Sequence, residues 1–172
     1  MDETYFLYSE KGTKQTQRLS QKRGGHSAKR GISQDQVCVL VARDRQGNTY
    51  MHMMGRGRLL TSQLDKVISP LLSNDNVLCT DAWRAFNTYA KDKRLPQYRF
   101  KSTEKTRVIK GIYHIQNANN YHSRPKRWMI RFNGVATKYL DHYLAWSHFL
   151  DSMGFENTDP TVKTMMVTAC TA

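Results

Sequence analysis

At 172 residues the chain can bury one ordinary core but not two comfortable ones, and 39% hydrophobic residues with nine Tyr, six Phe and three Trp exclude wholesale disorder. Lys and Arg number 27 against 14 acids, a formal charge of +13 that favours a polyanionic partner because each phosphate contact releases condensed counterions. No apolar run approaches ~18 residues and no basic amphipathic helix stands out, so nucleic acid rather than a membrane surface is the expected anion.

In chain order, "TYFLY" (4–8) is a β-rich run directly after Asp2 and Glu3. From Lys11 to Gln34 the composition changes to seven Lys or Arg, four glycines and no acid. Such a stretch cannot build a core and is expected to be a basic loop over 11–35. "QVCVLVARD" (36–44) is a nearly continuous apolar strand, and "RDRQGN" (43–48) turns it into "TYMHMM" (49–54), which predicts a hairpin. "GRGRLL" (55–60) lacks the Lys-Ser/Thr ending of a nucleotide loop and reads as a turn.

"LLTSQLDKVISPLL" (59–72) has helical spacing, with Thr61 or Ser62 as N-cap and Pro70 near the exit. "NVLCTD" (76–81) is a short buried strand ending on Asp81, "AWRAFNTYAKD" (82–92) an amphipathic helix, and "QYRF" (97–100) one more strand. Beyond residue 114, Trp128, Phe132, Val135, Tyr139, Tyr143, Trp146 and Leu150 recur at intervals of three and four, predicting helix that Asn133 and Gly134 divide in two. The sum is a mixed sheet flanked by helices. Cys38, Cys79 and Cys170 are widely spaced without a CxxC pair and read as reduced, cytosolic thiols.

Phosphodiester chemistry by two metals needs carboxylates from separate elements that converge on divalent ions about 3.5–4 Å apart. Asp2 and Asp81 are placed for this. The simpler readings are that an Asp before a strand is a turn residue and an Asp ahead of a helix is its N-cap. Glu3, next to Asp2 in a strand, could contribute electrostatically, although its side chain is expected to point to the opposite face.

Four blocks shift the balance: "MDETYFLY", "RGISQDQVCVLVARDRQGNTY", "NVLCTDAWRAFN" and "YHIQNANNYHSRPKRWMIRFNGVATKYLDHYLAW". In this order, from residue 2 to about 150, they resemble the catalytic domain of ISXO-like insertion-sequence transposases, members of the DDE group. The resemblance implies an α/β, RNase H-like mixed sheet flanked by helices over 1–153, followed by a C-terminal tail over 154–172. It also implies DNA cleavage and strand transfer with Mg²⁺ or Mn²⁺ in a two-metal site, with Asp2 as first acid and Asp81 as second. The implied partners are transposon ends, target DNA and further copies of the chain, in a bacterial cytoplasmic, nucleoid-associated setting, with no membrane and no nucleotide cofactor.

The family's third position is an acid, asparagine or histidine, with a basic residue seven places on. Counting back from Lys126 gives Asn119, with Asn117 or Asn120 reached if the register slips. The resemblance thus implies Asp2, Asp81 and Asn119 as metal ligands, with Lys126 on scissile-strand phosphate. Two helical turns separate Asn119 from Lys126, so they share a face, with His122 and Ser123 between. His114 and His122 are possible ligands or proton shuttles, and only His122 lies on that face. An Asn carbonyl ligates Mg²⁺ or Mn²⁺ without lending charge, leaving two formal negatives instead of three.

There are two departures. Pro125 falls where a helix interior is expected, and one resolution is that Ser123 caps a helix with Pro125 in its first turn, leaving Asn119 in a loop. Family members also carry an N-terminal zinc-ribbon region and a strand preceding the first acid, whereas this chain begins one residue before Asp2, as though the first strand were truncated. The alternative is therefore a non-catalytic, DNA-binding transposase remnant, with a host nuclease on the same fold as a third possibility. In either case Lys11, Lys14, Arg18, Lys22, Arg23, Lys29 and Arg30 of the basic loop, and Arg84 a helical turn beyond Asp81, suit DNA backbone contacts. Trp128, Tyr139, Tyr143 and Trp146 could stack on bases, but their spacing makes them core residues first.

Overall fold

The computed structural model describes residues 1–14, 29–101, 103–104, 107–153, 160, 162–164 and 167. Arg18, Lys22 and Arg23 of the basic loop, Cys170 and most of the tail lie outside them. Three strands, β1 (Asp2–Leu7), β2 (Gln36–Arg43) and β3 (Thr49–Arg56), form an antiparallel sheet in the order β1-β2-β3. Two more, β4 (Leu78–Asp81) and β5 (Gln97–Phe100), pair in parallel, with Asp81 opposite Phe100. The ladders meet where the Met1 ammonium donates to the Cys79 carbonyl at 2.6 Å, bringing the start of β1 beside β4. The result is a mixed α/β fold, consistent with an RNase H-like architecture.

The apolar run of β2 explains why helices cover both faces. Val37, Cys38, Val39, Leu40 and Val41 are all buried, and alternation sends them to opposite sides. Cys38 and Leu40 join Leu64 and Ile68 of α1 (Thr61–Ile68) and Phe86, Tyr89 and Ala90 of α2 (Arg84–Asp92). Val37 and Val39 meet Leu140 and Leu144 of α4 (Leu140–Ser152) on the other face, with Met129 of α3 (Gln116–Ile130) packed alongside. Leu40 is fully enclosed, so Leu40→Ala should lower stability by ~2–5 kcal/mol, read as a fall in the denaturant midpoint with an unchanged m-value.

The expected hairpin between β2 and β3 is present. Asp44 N–H donates to the Asn48 carbonyl at 3.0 Å, the Asp44 carboxylate accepts from Asn48 N–H at 2.8 Å, and Gly47 takes φ 96°. β3 is an edge strand, and its Met53 N–H is satisfied from α4 by the Asp141 carboxylate at 3.2 Å.

Local capping departs from expectation at α1. Neither Thr61 nor Ser62 caps the helix; Leu60 occupies the N-cap position, and its N–H donates to the Gln63 side chain at 2.9 Å. That leaves Gln63 Nε2 to donate to the Met54 carbonyl at 2.5 Å, tying the helix start to β3. The helix is also shorter than 59–72. Pro70 has no N–H for the carbonyl four residues back, so the chain tightens into a 3₁₀ turn over Ser69–Leu71.

Pro125, by contrast, sits inside α3 and does not end it. Ser123 is not a cap: the helix begins at Gln116, and Asn119 N–H already donates to the Ile115 carbonyl at 3.0 Å. Ala118, Tyr121, Pro125 and Trp128 form one buried stripe at intervals of three, four and three, so packing of a continuous face offsets the hydrogen bond that proline lacks. Asn119 is therefore helical, not in a loop.

The predicted break at Asn133 and Gly134 is seen, with φ of 52° and 96°. It also resets the helical phase. In α4 the buried positions are Leu140, Leu144 and Ser147, whereas Tyr139 (47%) and Trp146 (40%) are exposed, contrary to the core role that their helical spacing gave them. Trp128 does lie in the core, and Phe132 and Trp146 meet its ring edge-on, with centroids 4.6 and 5.1 Å away. Among the described residues no helix is long and apolar enough to cross a membrane.

Candidate active site

β1 and β4 carry their aspartates to the point where the two ladders meet. Asp2 is the first residue of β1 and Asp81 the last of β4. Asp81 is not the N-cap that the simpler reading made it, since Trp83 holds that position without a side-chain cap; its Oδ1 instead accepts the Trp83 N–H at 2.9 Å and so shapes the turn into α2. That hydrogen bond occupies only one carboxylate oxygen.

The first turns of α3 form the facing wall. A cleft of about 790 Å³ is lined by Asp2, Asp81 and Asn119 together, with Trp83 on one side and Lys101 and Arg107 from the segment after β5 on another. Residues 2, 81 and 119, from two strands and a helix, thus share one cavity. Neither Asn117 nor Asn120 lines it. His122, a turn beyond Asn119, places Nδ1 3.9 Å from Asp2 Oδ2, too far for a hydrogen bond, and its Nε2 is buried without a partner. Lys126 does not line the cleft but lies on the same helical face, close enough for its charge to act on His122.

Glu3 joins the group, against expectation. One carboxylate oxygen from each of Asp2, Glu3 and Asp81 lies within 4.8 Å of the others. Strand alternation describes where Cβ points, whereas a glutamate side chain at a strand end can bend back toward a neighbouring strand. Sequence pattern held no signal for this beyond the adjacency of two acids.

The electrostatics are those of crowded, partly buried acids. Burial, reinforced by the Asp81 charge, raises Asp2 to about 6. Burial and then the charges of Asp81 and Asp2 raise Glu3 to about 8. Asp81 is also raised, chiefly by burial. Further along α3 burial lowers His122 to about 4, aided by Lys126 and the N-terminal ammonium, and burial lowers Lys126 as well. The imidazole is therefore neutral at pH 7, so its approach to Asp2 is not an ion pair.

An all-oxygen set of three carboxylates, one with Oε2 buried and unpartnered, plus a nearby amide, fits a hard divalent cation of the Mg²⁺ or Mn²⁺ kind.

Among the described residues, the bases predicted for DNA, Lys11, Lys14, Lys29, Arg30, Arg84 and Lys126, are all exposed. Lys11 also donates to the Gly134 carbonyl at 2.8 Å, in the turn that follows α3. Lys101 and Arg107, on the cleft wall itself, were not singled out from sequence, because nothing in their local pattern distinguishes them from other surface bases.

Searches of curated proteins and of solved structures return no match. A family model described as an ISXO2-like transposase domain matches residues 1–149, most of the chain and all four of the sequence blocks, and the chain belongs to that family of transposase domains.

Proposed function

We propose that this domain carries out divalent-metal-dependent DNA cleavage and strand transfer for an insertion sequence. The observation that carries the reading is the convergence of Asp2, Asp81 and Asn119 from three separate elements on one open cleft in a strongly basic chain. Asp2 and Asp81 would hold the metal through carboxylate oxygens and Asn119 through its side-chain carbonyl. A bound pair of divalent ions supplies Lewis-acid activation of water or a DNA 3′-hydroxyl and charge stabilisation at the phosphorus under in-line attack.

The remaining steps belong to side chains. Lys126, seven residues beyond Asn119 on the same helical face, holds scissile-strand phosphate or its flank. Lys14, Lys29, Arg30 and Arg84, with Arg18, Lys22 and Arg23 of the same loop, contact the DNA backbone and position it without reading sequence. Trp83, bound through Nε1–H to the Leu59 carbonyl at 3.3 Å, gives the wall beside Asp81 a fixed shape. No covalent enzyme intermediate is involved. Self-association on paired ends follows from the family's chemistry of joining two DNA termini.

The decisive assay incubates the purified chain with DNA bearing the element's ends, with Mg²⁺, Mn²⁺ or chelator, and resolves nicked and joined products. Cation-dependent products support the reading. DNA binding without products would assign the chain to a non-catalytic, DNA-binding remnant. Cleavage indifferent to end sequence would assign it to a nuclease on the same fold.

A pH dependence follows from the raised carboxylates. With Asp2 near 6 and Glu3 near 8, the cluster retains protons at pH 7 that an incoming cation must displace. Affinity for Mn²⁺ should therefore rise from pH 6 to pH 8, with proton release on binding. Calorimetry in buffers of different ionisation enthalpy measures both, and an affinity flat across that range would contradict the expectation.

A further inference from the structure

Asn119 brings an oxygen to the cleft but no charge, so with Asp2 and Asp81 alone a divalent ion would meet two negatives rather than three. The missing charge has a source on the adjacent residue. A Glu3 carboxylate oxygen lies within 4.8 Å of one from Asp2 and one from Asp81, and Glu3 Oε2 is buried with no hydrogen-bond partner. Sequestering a carboxylate oxygen without a donor is costly unless something else satisfies it. Arg58, the cation that acts on Glu3, does not fill this role: its guanidinium lies over the Trp83 ring, 4.6 Å from the centroid. Glu3 therefore reaches the same two aspartates that share the cleft with Asn119.

We propose that Glu3 is a third carboxylate ligand of the divalent cation in this cleft, carrying the negative charge that the amide at position 119 lacks. This rests on the metal-dependent reading above and extends it to a residue outside the Asp2, Asp81 and Asn119 set.

The test reads metal binding directly, without DNA or turnover. Mn²⁺ titrations of the full chain, followed by calorimetry or by the electron paramagnetic resonance signal of free Mn²⁺, compare wild type with Glu3→Gln, Asp81→Asn and the double variant Glu3→Gln with Asn119→Glu. Glu3→Gln should weaken Mn²⁺ binding at least about tenfold, because it keeps the shape and removes the charge. The double variant should recover most of that loss by returning a carboxylate to the opposite wall. Glu3→Ala is read in the same way should Glu3→Gln not fold, with metal-free melting curves as the folding control.

If Glu3→Gln binds Mn²⁺ like wild type while Asp81→Asn does not, the Glu3 assignment is overturned and the metal reading stands. Weakened binding that Asn119→Glu fails to restore would make Glu3 a structural support, which also overturns its role as ligand. A wild-type chain that binds no Mn²⁺ would remove the metal reading itself, and this proposal with it.

Discussion

Asp81→Ala should abolish cation-dependent nicking and joining, with a loss of at least about 10³-fold, equivalent to ~4 kcal/mol of transition-state stabilisation. Asp81 stands at the end of β4, where its carboxylate is the nearest acid that β4 offers to Asp2 on β1. Removing it withdraws the proposed ligand and also the acceptor of the Trp83 N–H, so part of any effect could arise in the turn before α2. Asp81→Asn separates the two, since its amide oxygen still accepts the Trp83 N–H while the charge is lost. Equal loss in both variants assigns the effect to chemistry. Activity retained in Asp81→Asn but lost in Asp81→Ala would assign it to the turn and contradict the proposed role.

The second large effect is expected at Asn119, and its direction depends on the replacement. Asn119→Ala removes the only oxygen that this position of α3 presents to the cleft and should reduce metal-dependent activity by about 10²-fold. Asn119→Glu keeps an oxygen there and adds a charge, so activity should be retained or raised, with half-maximal activation at lower Mg²⁺. Loss in both variants would mean that the amide packs or hydrogen-bonds instead of ligating. The comparison is interpretable because Asn119 lies within a continuous helix whose buried stripe of Ala118, Tyr121, Pro125 and Trp128 it does not join.

Much of this architecture is legible from local pattern. Five successive apolar residues in β2 require cover on both faces, and helices lie on both. Asp44, Gly47 and Asn48 specify the hairpin turn, and Asn133 with Gly134 specifies the break between α3 and α4. Asp81 is placed at a strand end by the four residues before it and the amphipathic helix after it. Each of these depends on interactions within a few residues, where periodicity and turn chemistry carry the information.

Other features depend on contacts between distant segments. Nothing near Pro125 says that α3 will run through it; the stripe that holds the helix together is completed only when it packs on the sheet. Trp146 and Tyr139 look like core from spacing alone, but after the break at Gly134 Leu140, Leu144 and Ser147 lie inside, Tyr139 is exposed, and Trp146 packs on Trp128 with part of its ring open to solvent. Glu3 reads as a residue of the opposite face until β4 arrives beside β1 and its carboxylate swings toward Asp81.

By itself, then, the sequence determined the order of strands and helices, the basic character that suits DNA, and the four blocks that mark the transposase family. Only the tertiary structure decided that residues 2, 81 and 119 line one cleft and that a third carboxylate lies among the acids. The physical reason is that local pattern governs the direction in which a side chain leaves its own backbone, whereas the separation of side chains on different elements is decided by how those elements pack.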